Sequence, residues 1–153
     1  MTLSIILLVY FSLGLMAAMG SLVLTQKFLP SRLEAPLFGV LLVPIAGLYL
    51  VFTRHFGIDG AWPLEMAAVI GFSLLGVLGM RFPLMLVLGY GLHGAWDFAH
   101  ELHAHVGVDA FGGHPATPVP LAYGAICAGY DGYVAAYFWL RSRRSASGTA
   151  LAT

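Results

Sequence analysis

Five long apolar stretches, separated by short polar breaks, constrain the fold of this chain more than any other feature. They cover residues 4–24, 35–52, 62–80, 84–104 and 119–140. A helix needs about 20 apolar residues to cross the hydrocarbon core of a bilayer, and the period-two alternation of a strand is absent here. The sequence therefore predicts an all-α polytopic membrane bundle with about five transmembrane helices.

The composition excludes two classes of function. Hydrophobic residues make up 59% of the chain and charged residues only 9%, with a mean hydropathy of +0.87. Because a soluble domain carries about 25% charged residues, this chain cannot cover a water-facing surface and is not a soluble enzyme. Seven Lys and Arg residues with a net charge of zero also leave too little positive charge for nucleic-acid binding.

The basic residues predict an orientation in the membrane. With five spans, Arg54 lies on one side and every other Lys or Arg lies on the opposite side. Since basic residues are retained in the cytoplasm, the N-terminus is expected outside and the C-terminus inside. We interpret residues 1–144 as a single transmembrane domain and residues 145–153 as a short polar tail. The six basic residues expected in the cytoplasm are Lys27, Arg32, Arg81, Arg141, Arg143 and Arg144.

Small residues predict where the helices approach one another. In lipid, Gly and Ala at an interface allow two helix backbones to pack closely. The last apolar stretch repeats a small residue every four positions, at Gly124, Ala128 and Gly132. Three glycines of the third stretch are expected to act in the same way: Gly71, Gly76 and Gly79.

A polar stripe interrupts the fourth apolar stretch. On a helix that turns 100° per residue, His93, Asp97 and His100 fall within about 60° of one another. Glu101 lies at the edge of the same face. Ionisable groups inside a membrane cost about 2.5–3.5 kcal/mol each, so they normally face the bundle interior and pair. The stripe therefore predicts a buried polar cluster.

Two carboxylates from other stretches are expected at the same depth. Counting 1.5 Å per residue along each helix places Glu65 level with Asp97 and His100. The same count places Asp131 nearer to His93. All of these groups are predicted in the half of the bundle that faces outward.

Imidazole and carboxylate groups on inward faces are ligands for a divalent metal. Zinc accepts both, and an open site with two His and one carboxylate suits non-haem iron. We predict that His93, Asp97 and His100 bind Zn or Fe. The carboxylates expected to carry out proton transfer or other catalytic roles are Glu65, Asp97, Glu101 and Asp131. The alternative is a purely structural network, which five or six ionisable residues at compatible depths disfavour.

Three segments together resemble a known family. These are Trp62 to Glu65, the motif from His93 to His100 that includes Trp96-Asp97, and Ile126-Cys127 ahead of Asp131. In this order they resemble the small bacterial integral membrane proteins of the DUF6010 family, whose function is unknown. The resemblance covers about the last 90 residues. It implies a bacterial cytoplasmic membrane protein and groups five of the predicted residues: Glu65, His93, Asp97, His100 and Asp131.

The preferred function is a metal-dependent hydrolase or oxidoreductase that acts on a membrane lipid or isoprenoid substrate. Without metal, the same His and Asp groups would suit an acid–base isomerase. A second class of function is binding or transport of protons or metal ions, because chains of Asp, Glu and His in membranes also mark ion pathways. A third is an accessory subunit of a larger membrane complex. Homo-oligomers are compatible with all three.

Overall fold

The chain folds into five α-helices and one turn of 3-10 helix. The computed structural model describes residues 2–150, with the side chains of residues 2–144. No strand occurs in this part of the chain, and the predicted all-helical class is confirmed. The elements are α1 (Thr2–Phe28), α2 (Ser31–Phe56), the 3-10 turn (Asp59–Ala61), α3 (Trp62–Gly79), α4 (Pro83–Val106) and α5 (Tyr123–Ala150).

Three segments are long and apolar enough to cross a membrane: Thr2–Phe28, Ser31–Phe56 and Asp59–Gly79. Large apolar side chains on their outer faces are exposed, as lipid-facing positions require; Leu8 is 66% exposed and Leu74 is 58% exposed. At 1.5 Å per residue α4 also reaches about 36 Å. It differs from the first three segments in composition, because it carries the buried polar residues.

Glycine and proline set several helix boundaries. Gly57 and Gly107 follow α2 and α4 with φ of 68° and 80°, a left-handed conformation that glycine adopts without steric cost. Pro83 begins α4. An N–H at the first position of a helix has no acceptor within the helix, so proline loses no hydrogen bond there. The backbone of α5 remains helical to Ala150, across the boundary expected at residue 144. Residues 151–153 of the expected tail lie outside the described chain.

The helices alternate in direction, so the bundle has two distinct ends. Residues 29–30 and 80–82 connect helices at what we call the turn end. Residues 57–61 and 107–122 connect helices at what we call the loop end. Helix α5 packs along both α4 and α1, while α3 packs along both α2 and α4. Helix α1 therefore joins the bundle mainly through α5.

Apolar and polar residues divide the interior into two layers. A cluster of buried apolar side chains fills the bundle nearer the turn end, with Phe38, Leu42, Leu86 and Phe138 among its fully buried members. The buried ionisable residues of α4 lie beyond this cluster, toward the loop end. Packing of the apolar layer thus fixes the helices that position the polar one.

Glycines allow three of the helix pairs to approach closely. A Cβ atom at Gly14 would lie 2.0 Å from the carbonyl oxygen of Ile126, and one at Gly124 would lie 2.2 Å from that of Asp97. A Cβ atom at Gly76 of α3 would likewise lie too close to the carbonyl oxygen of Gly39 on α2. The predicted close contact is thus present at Gly124 and Gly76. Gly71 and Gly132, by contrast, face open space in this chain.

We expect Gly14→Ala to destabilise the protein by about 1–3 kcal/mol, because the added methyl group would force α1 away from α5. Gly20→Ala is the matched control in the same helix, since a Cβ there meets no heavy atom within 4 Å. Thermal unfolding of both variants in detergent tests this. Equal unfolding midpoints would contradict the close α1–α5 contact.

Candidate functional site

One histidine and two aspartates form the centre of the buried polar cluster. Nδ1 of His93 lies 2.7 Å from Oδ2 of Asp131 on α5 and 2.9 Å from Oδ2 of Asp97 one helical turn away. All three side chains are at most 1% exposed. One ligand atom from each residue lies within 4.8 Å of the others, so the three could hold a metal ion. We call this group the His-Asp-Asp centre.

The hydrogen bonds of the centre leave two polar atoms without a partner. The ring nitrogen Nδ1 of His93 pairs with Asp131 in good hydrogen-bond geometry. Oδ2 of Asp97 is close to the same nitrogen but makes no hydrogen bond, and Nε2 of His93 makes none either. Buried polar atoms are almost always hydrogen-bonded in folded proteins. Two such atoms, on side chains one helical turn apart, indicate a site that can accept a proton, an ion or a polar group of a substrate.

A tyrosine from α2 completes the environment of Asp97. The hydroxyl of Tyr49 donates a hydrogen bond of 2.6 Å to Oδ1 of Asp97. The ring of Tyr49 lies 4.5 Å from the His100 ring, centroid to centroid. Tyr49 is 1% exposed. It therefore fixes the orientation of Asp97 and lies against His100 at the same time.

His100 does not join the His-Asp-Asp centre but pairs with Glu65 of α3. Nε2 of His100 lies 3.0 Å from Oε1 of Glu65, and its Nδ1 lies 3.0 Å from the carbonyl oxygen of Trp96. A neutral imidazole has only one N–H, yet both ring nitrogens face acceptors. Which ring nitrogen carries the N–H depends on the tautomer, and the two contacts together fix the orientation of the ring. Pairing of Glu65 with His100 and of Asp131 with His93 agrees with the depths counted along the sequence.

Glu101 has a different environment from the other carboxylates. Its two oxygens accept hydrogen bonds of 2.8 and 2.9 Å from the backbone N–H groups of Ala122 and Gly124. These N–H groups lie at the beginning of α5, where a helix has unsatisfied donors and a positive dipole end. Ala122 has a φ of 65°, unusual for a residue with a side chain. Glu101 therefore acts as the N-terminal cap of α5.

The 107–122 loop covers the polar cluster at the loop end. The backbone N–H of Thr117 donates to Oε1 of Glu65, and the Thr117 hydroxyl bonds that of Thr53 at 2.6 Å. The ring of Phe111 packs against that of His100 at 4.4 Å between centroids, tilted by 53°. Within the loop, the backbone N–H groups of Gly113 and Phe111 donate to Asp109 and lower the pKa of its carboxyl. The loop thus has its own fixed structure over the site.

An apolar groove leads from the outside of the bundle to Asp131. It has a volume of about 260 Å³ and lies between α1, α2 and α5. Gly14, Leu48 and Cys127 line it along with Asp131. Nearly all of its lining is apolar, and it opens on the side of the bundle, where the helices would face lipid.

Sequence reasoning missed three buried polar residues. Tyr49 and Thr117 contact Asp97 and Glu65, and Glu34 forms a separate buried group at the turn end. Tyr49 and Thr117 carry no formal charge, so a search for ionisable residues could not find them. Glu34 could have been found, because it is the one acidic residue between residues 1 and 58.

No protein-family model, curated protein or solved structure matches this chain. The resemblance to the DUF6010 family therefore stays a prediction. The function has to be argued from the geometry of the site.

We expect Glu101→Ala to destabilise the protein by about 1–3 kcal/mol, because two buried N–H groups at the start of α5 would lose their acceptors. Thermal unfolding and hydrogen exchange at residues 122–124 would measure the loss. The catalytic role predicted for Glu101 would instead cause a loss of activity without a loss of stability. A variant as stable as the wild type that lacks the protein's activity would contradict the capping role.

Proposed function

We propose that this protein is a membrane-embedded enzyme that binds a divalent metal ion, Zn or Fe, at His93, Asp97 and Asp131 and acts on a lipid-like substrate. The observation that supports the proposal is the convergence of these three buried side chains, whose ligand atoms lie within 4.8 Å of one another. This ligand set replaces His100 of the predicted set with Asp131.

The charge of the centre favours a bound cation. Two ionised aspartates and a neutral histidine would place two negative charges in a buried site. Burying unpaired charge is costly, and the Tyr49 hydroxyl offsets it with only one hydrogen bond. One additional proton or one divalent cation would remove most of this cost.

The carboxylate oxygens lie closer to His93 Nδ1 than the ligands of a bound metal ion would lie to one another. Contacts of 2.7 and 2.9 Å are hydrogen-bond lengths. Ligand atoms around tetrahedral zinc lie about 3.3 Å apart, since each is about 2.0–2.1 Å from the metal. Metal binding at Nδ1 therefore requires loss of its proton and a separation of the ligands by about half an ångström. Metal binding would then release a proton and strengthen as the pH rises.

The residues of the chain supply the remaining parts of an enzyme site. Tyr49 holds Asp97 in place, and the imidazole of the His100–Glu65 pair lies against the Tyr49 ring. Such a pair suits general acid–base catalysis. When bound, the metal would supply Lewis acidity and a water of lowered pKa. Hydrolysis and oxidation of the substrate are both compatible with this arrangement.

The groove between α1, α2 and α5 supports a lipid or isoprenoid as the substrate. Its lining is almost entirely apolar, and its one acidic residue is Asp131 of the centre. A hydrocarbon chain could enter from the bilayer and place a polar group beside Asp131. Most of a ligand-binding pocket is apolar, and a few polar groups fix the orientation of the ligand.

Ion or proton transport is the second candidate, because the structure contains a second buried polar group. Glu34 accepts a hydrogen bond of 2.6 Å from Tyr137 and pairs with Arg141 near the turn end. A relay would have to connect this group to Asp131. The buried apolar layer that includes Phe38 and Phe138 lies between them, which favours the enzyme.

For the location we propose a bacterial cytoplasmic membrane, with the turn end in the cytoplasm. Three segments long and apolar enough to span a bilayer support the membrane. The orientation rests on the excess of basic residues at the turn end.

We expect the purified protein to contain about one equivalent of Zn or Fe, held by three protein ligands. His93→Ala and Asp131→Asn should lose this metal, because each removes a ligand from the centre. Elemental analysis of the detergent-purified variants measures it. His114→Ala is the matched control, since His114 is exposed in the loop.

His100→Ala separates the two ligand sets. The His100→Ala variant should keep the metal if Asp131 is the third ligand. It should lose the metal if His100 is the third ligand. A folded wild-type protein that takes up neither Zn nor Fe would overturn the metalloenzyme proposal, and metal-free acid–base chemistry would then lead.

The groove makes a further prediction about access. Cys127 is the only cysteine and lines the groove, so a membrane-permeant apolar maleimide should label it while a charged, impermeant one should not. Ala17→Trp should slow the labelling by narrowing the groove from α1. The rate is measured by mass spectrometry. Equal rates for wild type and variant would show that the groove does not admit an apolar molecule.

A further inference from the structure

The turn end of the bundle has a strong excess of positive charge. Six of the seven basic residues lie there with one acidic residue, Glu34, which gives a formal charge of +5. The remaining acidic residues lie at the loop end or in the polar layer. An excess of positive charge beside spanning helices attracts anionic lipids.

A cleft of about 440 Å³ lies within this positive surface, between α1, α2 and α5. It is separate from the groove at Asp131, because the buried apolar layer lies between the two. Six of the seven residues that line the cleft have polar side chains: Gln26, Ser31, Glu34, Tyr137, Arg141 and Arg144.

Buried contacts fix the geometry of the cleft. Glu34 is 3% exposed and forms an ion pair with Arg141. The hydroxyl of Tyr137 donates to Glu34 at 2.6 Å and accepts a hydrogen bond of 3.0 Å from the side-chain amide of Gln26. Side chains from all three helices are thereby joined. The Arg141 side chain is held at the mouth of the cleft, where it remains 39% exposed.

We propose that this cleft binds the phosphate of an anionic phospholipid headgroup. Two guanidinium groups against one carboxylate leave a net positive charge, and the planar fork of arginine matches phosphate oxygens. The N-terminus of α2 opens onto the cleft at Ser31 and has no side-chain cap, so its positive dipole end adds to the attraction. The cleft lies at the ends of two spanning segments, the level at which lipid headgroups lie.

The lipid retained by the protein tests this proposal. Protein in mixed micelles with phosphatidylglycerol or phosphatidylcholine is analysed by native mass spectrometry. We expect phosphatidylglycerol to be retained preferentially and Arg144→Gln to weaken its retention by about tenfold, the loss of one charge-assisted contact. Arg54→Gln is the matched control, because it removes the same charge at the loop end.

Each other outcome overturns the proposal. Equal losses for Arg144→Gln and Arg54→Gln would show only general charge attraction. Displacement of the lipid by millimolar inorganic phosphate would make the cleft a site for soluble phosphate. If Arg144→Gln does not fold, Gln26→Ala replaces it and should weaken retention without changing the charge. If the folded variant retains phosphatidylglycerol as well as the wild type does, the cleft is not the lipid-binding site.

Discussion

The close packing of α4 against α5 is the contact on which the polar cluster depends. Gly124 lies against the backbone of Asp97, and a Cβ atom at Gly94 would lie 3.1 Å from that of Asp131. Without side chains at these two positions, the helices approach until Asp131 reaches His93. In a membrane, where water does not compete, this approach replaces hydration with direct contacts between charged and polar groups. The apolar layer nearer the turn end holds α4 and α5 at this spacing.

Residues of the same type have different roles because their surroundings differ. Asp131 lies between a histidine, to which its carboxylate is bound, and the apolar groove that it lines. Both carboxylate oxygens of Glu101 accept hydrogen bonds from N–H groups at the start of α5, and one of them also lies 3.8 Å from Nε2 of His105. Glu65 pairs with His100 while it also accepts a hydrogen bond from the 107–122 loop. The candidate metal-binding group is therefore smaller than the set of buried carboxylates.

The sequence predicted the helices and the depth of their polar groups, because hydropathy and a rise of 1.5 Å per residue depend only on position along one helix. Those depths placed Asp131 nearer to His93, and the structure shows that the two side chains are in contact. The roles of Glu101 and His100 did not, since they depend on how far α4 is rotated and on the path of the 107–122 loop. Tyr49 was also beyond reach, because nothing in α2 marks its hydroxyl as the partner of a residue 48 positions away.

The capping of α5 by Glu101 has a consequence for the assembly of the protein in a membrane. Helices α4 and α5 are not among the described segments that are apolar enough to span a bilayer. Glu101 of α4 has its partners at the start of α5, and Asp131 of α5 has its partner, His93, on α4. The start of α5 has no acceptor for its N–H groups until α4 is beside it. Neither helix is therefore suited to enter a bilayer alone, whereas the first three are. The last two helices are expected to insert together as a hairpin, already joined by Glu101.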